Sequence, residues 1–410
     1  MFQAFMLVPK SITKRGRINM EQNFTRRCAD AGVTIVIPCL NEASTLPELL
    51  KRIQGLIKSK SFGERKVDIL VSDNGSTDGS KPLARALGVT VTDCPVRGYG
   101  SALRHGIEQA KTPVVMFLDA DLTYAPEDAP KLLAALDVET DMVLGDRLSG
   151  EKINGAMPPM HRYLGTPVLT FMINSLFSKG TRIRDCNSGY RCFWKDPFLK
   201  WGITGTGMEF ASEMLVRSLQ TGAIIKSIPI TLYPNPHGRV PHLRPWRDGM
   251  RHILQILLEA PFIFNNVGIG MMLFGWTGLL VSLSGPYPVL GASVFGAHSA
   301  VICMLLVLIG QDIWTIGLFV SLKSGTAIAP QYRWAVRLNE SILFWLAVFV
   351  FLVIMAGSIL TVVQWSQNHF ASLAFEPEFI MAATLIMQVV EIEMGLLTAS
   401  MVNKIIAHTR

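Results

Sequence analysis

From Ala260 to Gln311, and again from Ser341 to Phe375, the chain contains no Lys, Arg, Asp or Glu. A bilayer core of ~30 Å is crossed by about 20 residues of apolar helix, so these stretches predict three spans, at 262–282, 293–318 and 342–363. A fourth is expected at 379–402, although it carries Glu391 and Glu393. Carboxylates at that depth are expensive in lipid and default to a functional or inter-helix role. Half of the 410 residues are hydrophobic, which leaves room for a soluble domain beside these helices.

The cations orient the chain. Lys323, Arg333 and Arg337 lie between the second and third spans, and Lys404 and Arg410 follow the fourth. The other two connections have no Lys or Arg, so the positive-inside bias places the N-terminal part in the cytoplasm. Residues 1–261 hold 33 Lys and Arg against 25 Asp and Glu, a net +8. That balance suits an anionic membrane surface or phosphate ligands, and no nucleic-acid partner is expected. The N-terminal FQAFMLV is short and precedes the basic run Lys10–Arg27, so residues 1–30 read as a basic extension and not as a secretory signal. Six Cys, at 28, 39, 94, 186, 192 and 303, fit a reduced compartment and lack metal-finger spacing.

Ahead of the spans, β-rich apolar runs alternate with helical patterns. Strands are expected at 33–38, 67–72, 89–94, 113–118 and 141–145, and helices at 44–58, 78–87, 100–111 and 126–136, with Ser44 and Asp78 as caps. Such alternation predicts an open, largely parallel α/β sheet, whose ligands gather beyond the carboxyl ends of the strands. Three polar clusters fall there: Asn41–Glu42, Asp73–Asn74 and Asp119–Asp121.

Two carboxylates one residue apart repel unless something compensates them. Asp after a strand is often a turn residue, but hard carboxylate oxygens also suit Mg²⁺ or Mn²⁺, with water and substrate phosphates completing the shell. In CPVRGYGSALRHGIEQA (94–110), a Gly-x-Gly turn enters a helix, and glycines there would let a diphosphate approach the backbone. No Gly-x-x-x-x-Gly-Lys-Ser/Thr loop is present, which argues against a P-loop NTPase.

In order and spacing, VIPCLNEASTL, VSDNGSTDGS, RGYGSALRHGI and FLDADLTYAP resemble the GT-A domain of family 2 glycosyltransferases, over roughly residues 31–240. MVLGDRLSG, DCNSGYRCF and HGRVPHLRPWRDGMRHI look like its polyprenyl-phosphate branch, typified by dolichyl-phosphate mannose and glucose synthases. The resemblance implies a metal-dependent, inverting transfer of a hexose from UDP or GDP to a polyprenyl phosphate, glucose or mannose being favoured. Pro38, Asn41, Glu42 and Asp73 match positions that hold the nucleoside. Asp119 and Asp121 match the Asp-x-Asp that meets ribose, metal and diphosphate, and Arg147, Arg162 and Arg239 match arginines on donor and lipid phosphates. Many relatives have two acidic residues where this chain has Asp73–Asn74, which leaves the choice of base open.

The chain thus divides into the extension, a GT-A domain (31–240), an interfacial amphipathic segment (241–261) and a membrane domain (262–410). In the segment, Trp246, Ile253, Leu254, Ile256, Leu257 and Leu258 interleave with Arg247, Arg251 and His252. Glu209 and Glu213, four apart, are read as exposed helical carboxylates, and Cys186 and Cys192 as packing residues. Two rivals are a processive polysaccharide synthase, whose Gln-x-x-Arg-Trp motif QYRW (331–334) superficially matches, and a non-catalytic lipid carrier with a vestigial fold. QYRW lacks one residue of that motif and is expected to be a basic cytoplasmic loop. Membrane-bound relatives make self-association a reasonable expectation.

Overall fold

The computed structural model describes residues 31–151, 155–236, 245–289, 292–323, 332–333, 340–367 and 377–408. The basic extension and Arg239 lie outside them. Two compact units emerge, Met1–Ile256 and Leu257–Arg410.

In the first unit, every residue of β1 (Val33–Cys39) is buried, as a central strand with helices on both faces requires. It is followed by α1 (Leu46–Lys58), β2 (Val67–Asp73), α2 (Ser80–Ala86), β3 (Thr90–Asp93), α3 (Tyr99–Gln109), β4 (Val114–Phe117), α4 (Ala129–Ala135) and β5 (Met142–Asp146). The expected alternation is therefore present, with ends shifted by a few residues. Thr45, not Ser44, takes the cap position of α1, and Gly79, not Asp78, that of α2, although Asp78 Oδ1 accepts the N–H of Ser80, the first residue of α2, at 3.0 Å. Next come α5 (Thr166–Phe177), β6 (Arg191–Trp194), α6 (Lys195–Trp201), α7 (Phe210–Gln220), β7 (Ile225–Pro229) and α8 (Pro245–Leu258).

The sheet order is β3-β2-β1-β4-β6-β5-β7. All pairings are parallel except those of β6, which runs antiparallel to both neighbours. Strands β1, β2, β4 and β5 consequently end at one edge, and β6 begins there. Its first residue, Arg191, pairs with Phe117, the last of β4.

In the second unit, α9 (Pro261–Ser282) is followed by a hairpin of β8 (Tyr287–Val289) and β9 (Ala292–Val294), then α10 (Ala297–Lys323), α11 (Glu340–Gln367) and α12 (Pro377–His408). Among the described residues, three stretches are long and apolar enough to cross a membrane: Pro261–Ser282, Ala297–Leu322 and Phe379–Val402. Within α11 the apolar stretch is the shorter Ser341–Gly357. Small residues let α9 and α10 approach closely: a Cβ at Gly268 would stand 2.6 Å from the Gly310 carbonyl, and one at Gly275 2.6 Å from that of Cys303. Trp276 donates to Gln388 at 2.8 Å, satisfying two polar groups between α9 and α12. Tyr332 is not a solvated loop residue. It is buried, its ring 5.4 Å from that of Trp314.

Candidate active site

Two loops meet beyond β1 and β2. Asn41 takes the left-handed conformation at φ 56°, tolerable because its amide oxygen accepts the Thr77 N–H at 2.8 Å and its N–H donates to Ser76 Oγ at 2.9 Å. Glu42 is buried; its N–H donates to Ser80 Oγ and its Oε2 accepts the Thr45 hydroxyl at 3.0 Å. The Asp73 carboxylate is buried too and accepts the N–H groups of Gly75 at 2.8 Å and Ser76 at 3.0 Å. Pro38 sits one step back from this edge, opposite Ser72 in the register. Asn74 explains the departure from an acidic pair. Its Nδ2 donates to the Val96 carbonyl at 2.8 Å and its Oδ1 accepts the Gly98 N–H at 2.7 Å, so both ends of an amide are used.

The Gly-x-Gly turn corrects the sequence reading. A Cβ at Gly98 would lie 2.1 Å from the Thr206 carbonyl oxygen, and one at Gly100 2.5 Å from that of Gly205. The room beside both glycines is filled by chain 204–207, and the Thr206 carbonyl accepts the Ser101 N–H at the start of α3 at 3.1 Å. Glu213 holds that loop: fully buried, it accepts from Thr204 N at 3.0 Å and Gly205 N at 2.6 Å, with Arg217 Nε 3.3 Å away. It is an anchor rather than the exposed carboxylate expected from its spacing.

Beyond β4, Asp121 Oδ1 accepts from the N–H of Thr123 at 3.0 Å and its hydroxyl at 2.5 Å. Between them Leu122 has φ 63°, a conformation costing about 1–2 kcal/mol for such a residue. Asp119 Oδ1 accepts the Tyr99 hydroxyl at 2.8 Å. Its Oδ2 faces Gly189, where a Cβ would stand 2.7 Å away. Burial, then the charge of Asp119, pushes the Tyr99 phenol well above its usual range, keeping it protonated and donating. Tyr124, whose hydroxyl accepts the Gly189 N–H at 2.8 Å, is pushed up to about 12, first by burial.

The segment 185–190 closes the same edge. Asp185 is fully buried and takes two parallel hydrogen bonds from Arg147, Nε–Oδ2 at 2.7 Å and Nη2–Oδ1 at 2.8 Å. Burial alone would lower the Arg147 pKa, but the Asp185 carboxylate more than reverses this. Arg191 is fully buried and donates to the carbonyls of Cys186, Ser188 and Ala211 at 2.9–3.1 Å. Burial lowers its pKa to about 10, so it remains a cation at neutral pH. Cys186 and Cys192 are buried thiols, as expected. Arg162 is exposed on a π-helical turn (His161–Gly165) with its guanidinium 5.2 Å from the Tyr163 ring centroid; among the described residues, no hydrogen bond or ion pair joins it to Asp119.

The structure therefore gathers Asp119, Asp121 and Arg147 at one edge, with Asn41, Glu42 and Asp73 on the adjoining strand ends. Tyr99, Tyr124, Gly189 and Arg191 were not singled out from sequence, although all four stand inside RGYG, LTYAP and NSGYR. Two carboxylates in one turn form a hard-oxygen set that fits Mg²⁺ or Mn²⁺, and the missing side chain at Gly189 leaves room on Asp119 Oδ2. Among the described residues, no group of three or more His, Cys, Asp or Glu could hold a metal, so protein would supply only part of its shell.

A strand-end site on a largely parallel α/β sheet, carrying Asp-x-Asp, is the arrangement of a GT-A glycosyltransferase. The model of glycosyl transferase family 2 matches residues 34–201. The low-salt glycan biosynthesis hexosyltransferase of Haloferax volcanii is 32% identical, over 71% of this chain and 69% of its own. Glycosyltransferase AglJ of the same organism is 33% identical, over 70% of this chain and 91% of its own. A dolichyl-phosphate hexose transferase of that organism is 26% identical, over 55% of this chain and 94% of its own. The chain belongs to glycosyltransferase family 2 and is a glycosyltransferase with a GT-A domain followed by membrane-capable helices.

Proposed function

We propose that this enzyme transfers a hexose, glucose or mannose, from UDP or GDP to a polyprenyl phosphate in the membrane. The observation that carries the reading is the Asp119–Asp121 turn, closed by Tyr99 and Gly189 and followed in the chain by helices able to cross a bilayer. Similarity to a dolichyl-phosphate hexose transferase supports the acceptor class.

The acceptor chemistry suits a site without a dedicated base. A phosphate monoester is already anionic near neutral pH, its second pKa being about 6. One of its oxygens forms the bond to the anomeric carbon as the bond from that carbon to the diphosphate breaks. The electron pair leaves with the nucleoside diphosphate, and the anomeric centre inverts. Pro38, Asn41, Glu42 and Asp73 shape the nucleoside end, the last three through the loop ties described above. Asp119 and Asp121 would hold Mg²⁺ or Mn²⁺, which supplies positive charge against the departing diphosphate. Arg147, fixed by Asp185, adds a permanent cation at the same edge. Arg162 and Arg239 are the candidates for the lipid phosphate.

The helices of the second unit serve as spans, with the catalytic part on the cytoplasmic side by the positive-inside bias. Helix α8 suits an interfacial position: Trp246, Met250 and Leu254 are exposed along one side while Asp248, His252 and Ile256 are buried along the other. A screen of UDP- and GDP-hexoses with a short polyprenyl phosphate, following lipid-linked sugar, tests the assignment. Metal-dependent product is expected; donor hydrolysis with no lipid product from any pair would overturn it.

A further inference from the structure

Helix α5 and the π-helical turn that leads into it turn apolar side chains in two directions. Leu169, Ile173 and Phe177 are buried against the first unit. Phe171 and Tyr163 are each 71% exposed, and Met160, Leu164 and Val168 between 43% and 56%. A soluble surface rarely leaves so many large apolar groups together unless they meet a partner. Within 155–184 there is no Asp or Glu, while Arg162, Lys179, Arg182 and Arg184 are all exposed.

We propose that the Met160–Phe171 face lies on an anionic bilayer surface, a second lipid contact in addition to α8. The inference rests on reading the chain as a membrane enzyme with a lipid acceptor. Charge decides the occupant. A second copy docking through the same face would oppose four cations with four cations, whereas anionic headgroups neutralise them and the interfacial region accepts Tyr, Phe and Leu. Exposed Trp246, Met250 and Leu254 with Arg247 and Arg251 repeat this chemistry on α8, which leads in the chain into a membrane-capable helix. Two such faces would hold the first unit in one orientation, so that an acceptor phosphate at headgroup depth meets the site with little further ordering.

Full-length protein in phosphatidylglycerol liposomes containing a photoactivatable phospholipid tests the contact without altering a residue. Lipid adducts are expected on peptides covering 160–171. Adducts confined to 261–408, or copy-to-copy cross-links at Tyr163 and Phe171, would overturn the proposal. In a second arm, Leu164, Val168 and Phe171 are all replaced by Ser, leaving Tyr163 beside Arg162 in place. Transfer to a long-chain polyprenyl phosphate in the liposomes should fall roughly tenfold, with transfer to a water-soluble short-chain analogue in detergent unchanged. Equal activity on both acceptors, or equal loss on both, would reject the face as a membrane contact. If the unaltered protein uses neither acceptor, the acceptor class falls, and the lipid adducts still decide the surface.

Discussion

Arg147 and Asp185 are joined by two parallel hydrogen bonds of 2.7 and 2.8 Å, and the Arg147 N–H adds a third to the same carboxylate at 3.1 Å. The pair fastens the end of β5 to the loop that carries Gly189. Removing one partner of a buried pair costs about 3–5 kcal/mol, because the other charge is left buried. Asp185→Asn should therefore lower the melting temperature of the detergent-solubilised protein and reduce transfer together. Arg147→Lys keeps the charge and loses the fork, so it should do the same to a lesser degree. An unchanged melting curve for Asp185→Asn would show that the pair does not hold the site.

Asp121→Asn preserves size and removes the charge that would bind a cation. Transfer should drop by orders of magnitude, while melting without ligand changes little. Near-normal turnover at saturating Mn²⁺ would remove Asp121 from the metal site.

Gly189→Ala places a methyl group 2.7 Å from Asp119 Oδ2. Something must move, and the end of a side chain moves more easily than the backbone bonded to Tyr124. The expected outcome is weaker Mn²⁺-dependent nucleotide binding by calorimetry with only a small loss in melting temperature. Intact binding would mean that Asp119 does not need its present position.

Gly98→Ala is the contrasting case. Its φ of 132° and a Cβ 2.1 Å from the Thr206 carbonyl oppose backbone to backbone, so the loss should be in stability, about 1–3 kcal/mol or more. Wild-type melting would contradict the packing of loop 204–207.

His252 Nδ1 lies 2.7 Å from Ser212 Oγ, and burial lowers its pKa to about 4. The unfolded chain, near pH 6.5, takes up a proton that the folded state refuses, so this contribution is complete above pH 6.5 and is lost as pH falls toward 4. Thermal melts across that window should fall less steeply for His252→Gln than for the unaltered protein. Parallel slopes would place the His252 pKa near its ordinary value.

Local pattern carried much of this fold. Unbroken apolar runs bounded by turns located β1, β2, β4 and β5, because a strand covered on both faces needs apolar side chains on both. Charge-free stretches located the membrane-capable Pro261–Ser282 and most of Ala297–Leu322, since lipid tolerates no ion without compensation. Phe379–Val402, by contrast, is long and apolar enough despite Glu391 and Glu393, and the apolar stretch in α11 is the shorter one. The Asp-x-Asp at a strand end was likewise legible, because parallel strands send their carboxyl ends to one edge.

Contacts between distant segments decided the rest. Strand β6 enters antiparallel between β4 and β5, and no local periodicity announces an insertion made by pairing across the sheet. Glu213 at helical spacing looks solvated until loop 204–205 folds over it and donates two N–H groups. Gly98 and Gly100 look open to a phosphate until loop 204–207 takes the space. Arg191 is a surface residue by type, yet three carbonyls from segments on either side of it make its burial tolerable. Side-chain type and spacing set what each segment can become, whereas burial and hydrogen-bond partners exist only once remote parts of the chain are brought together.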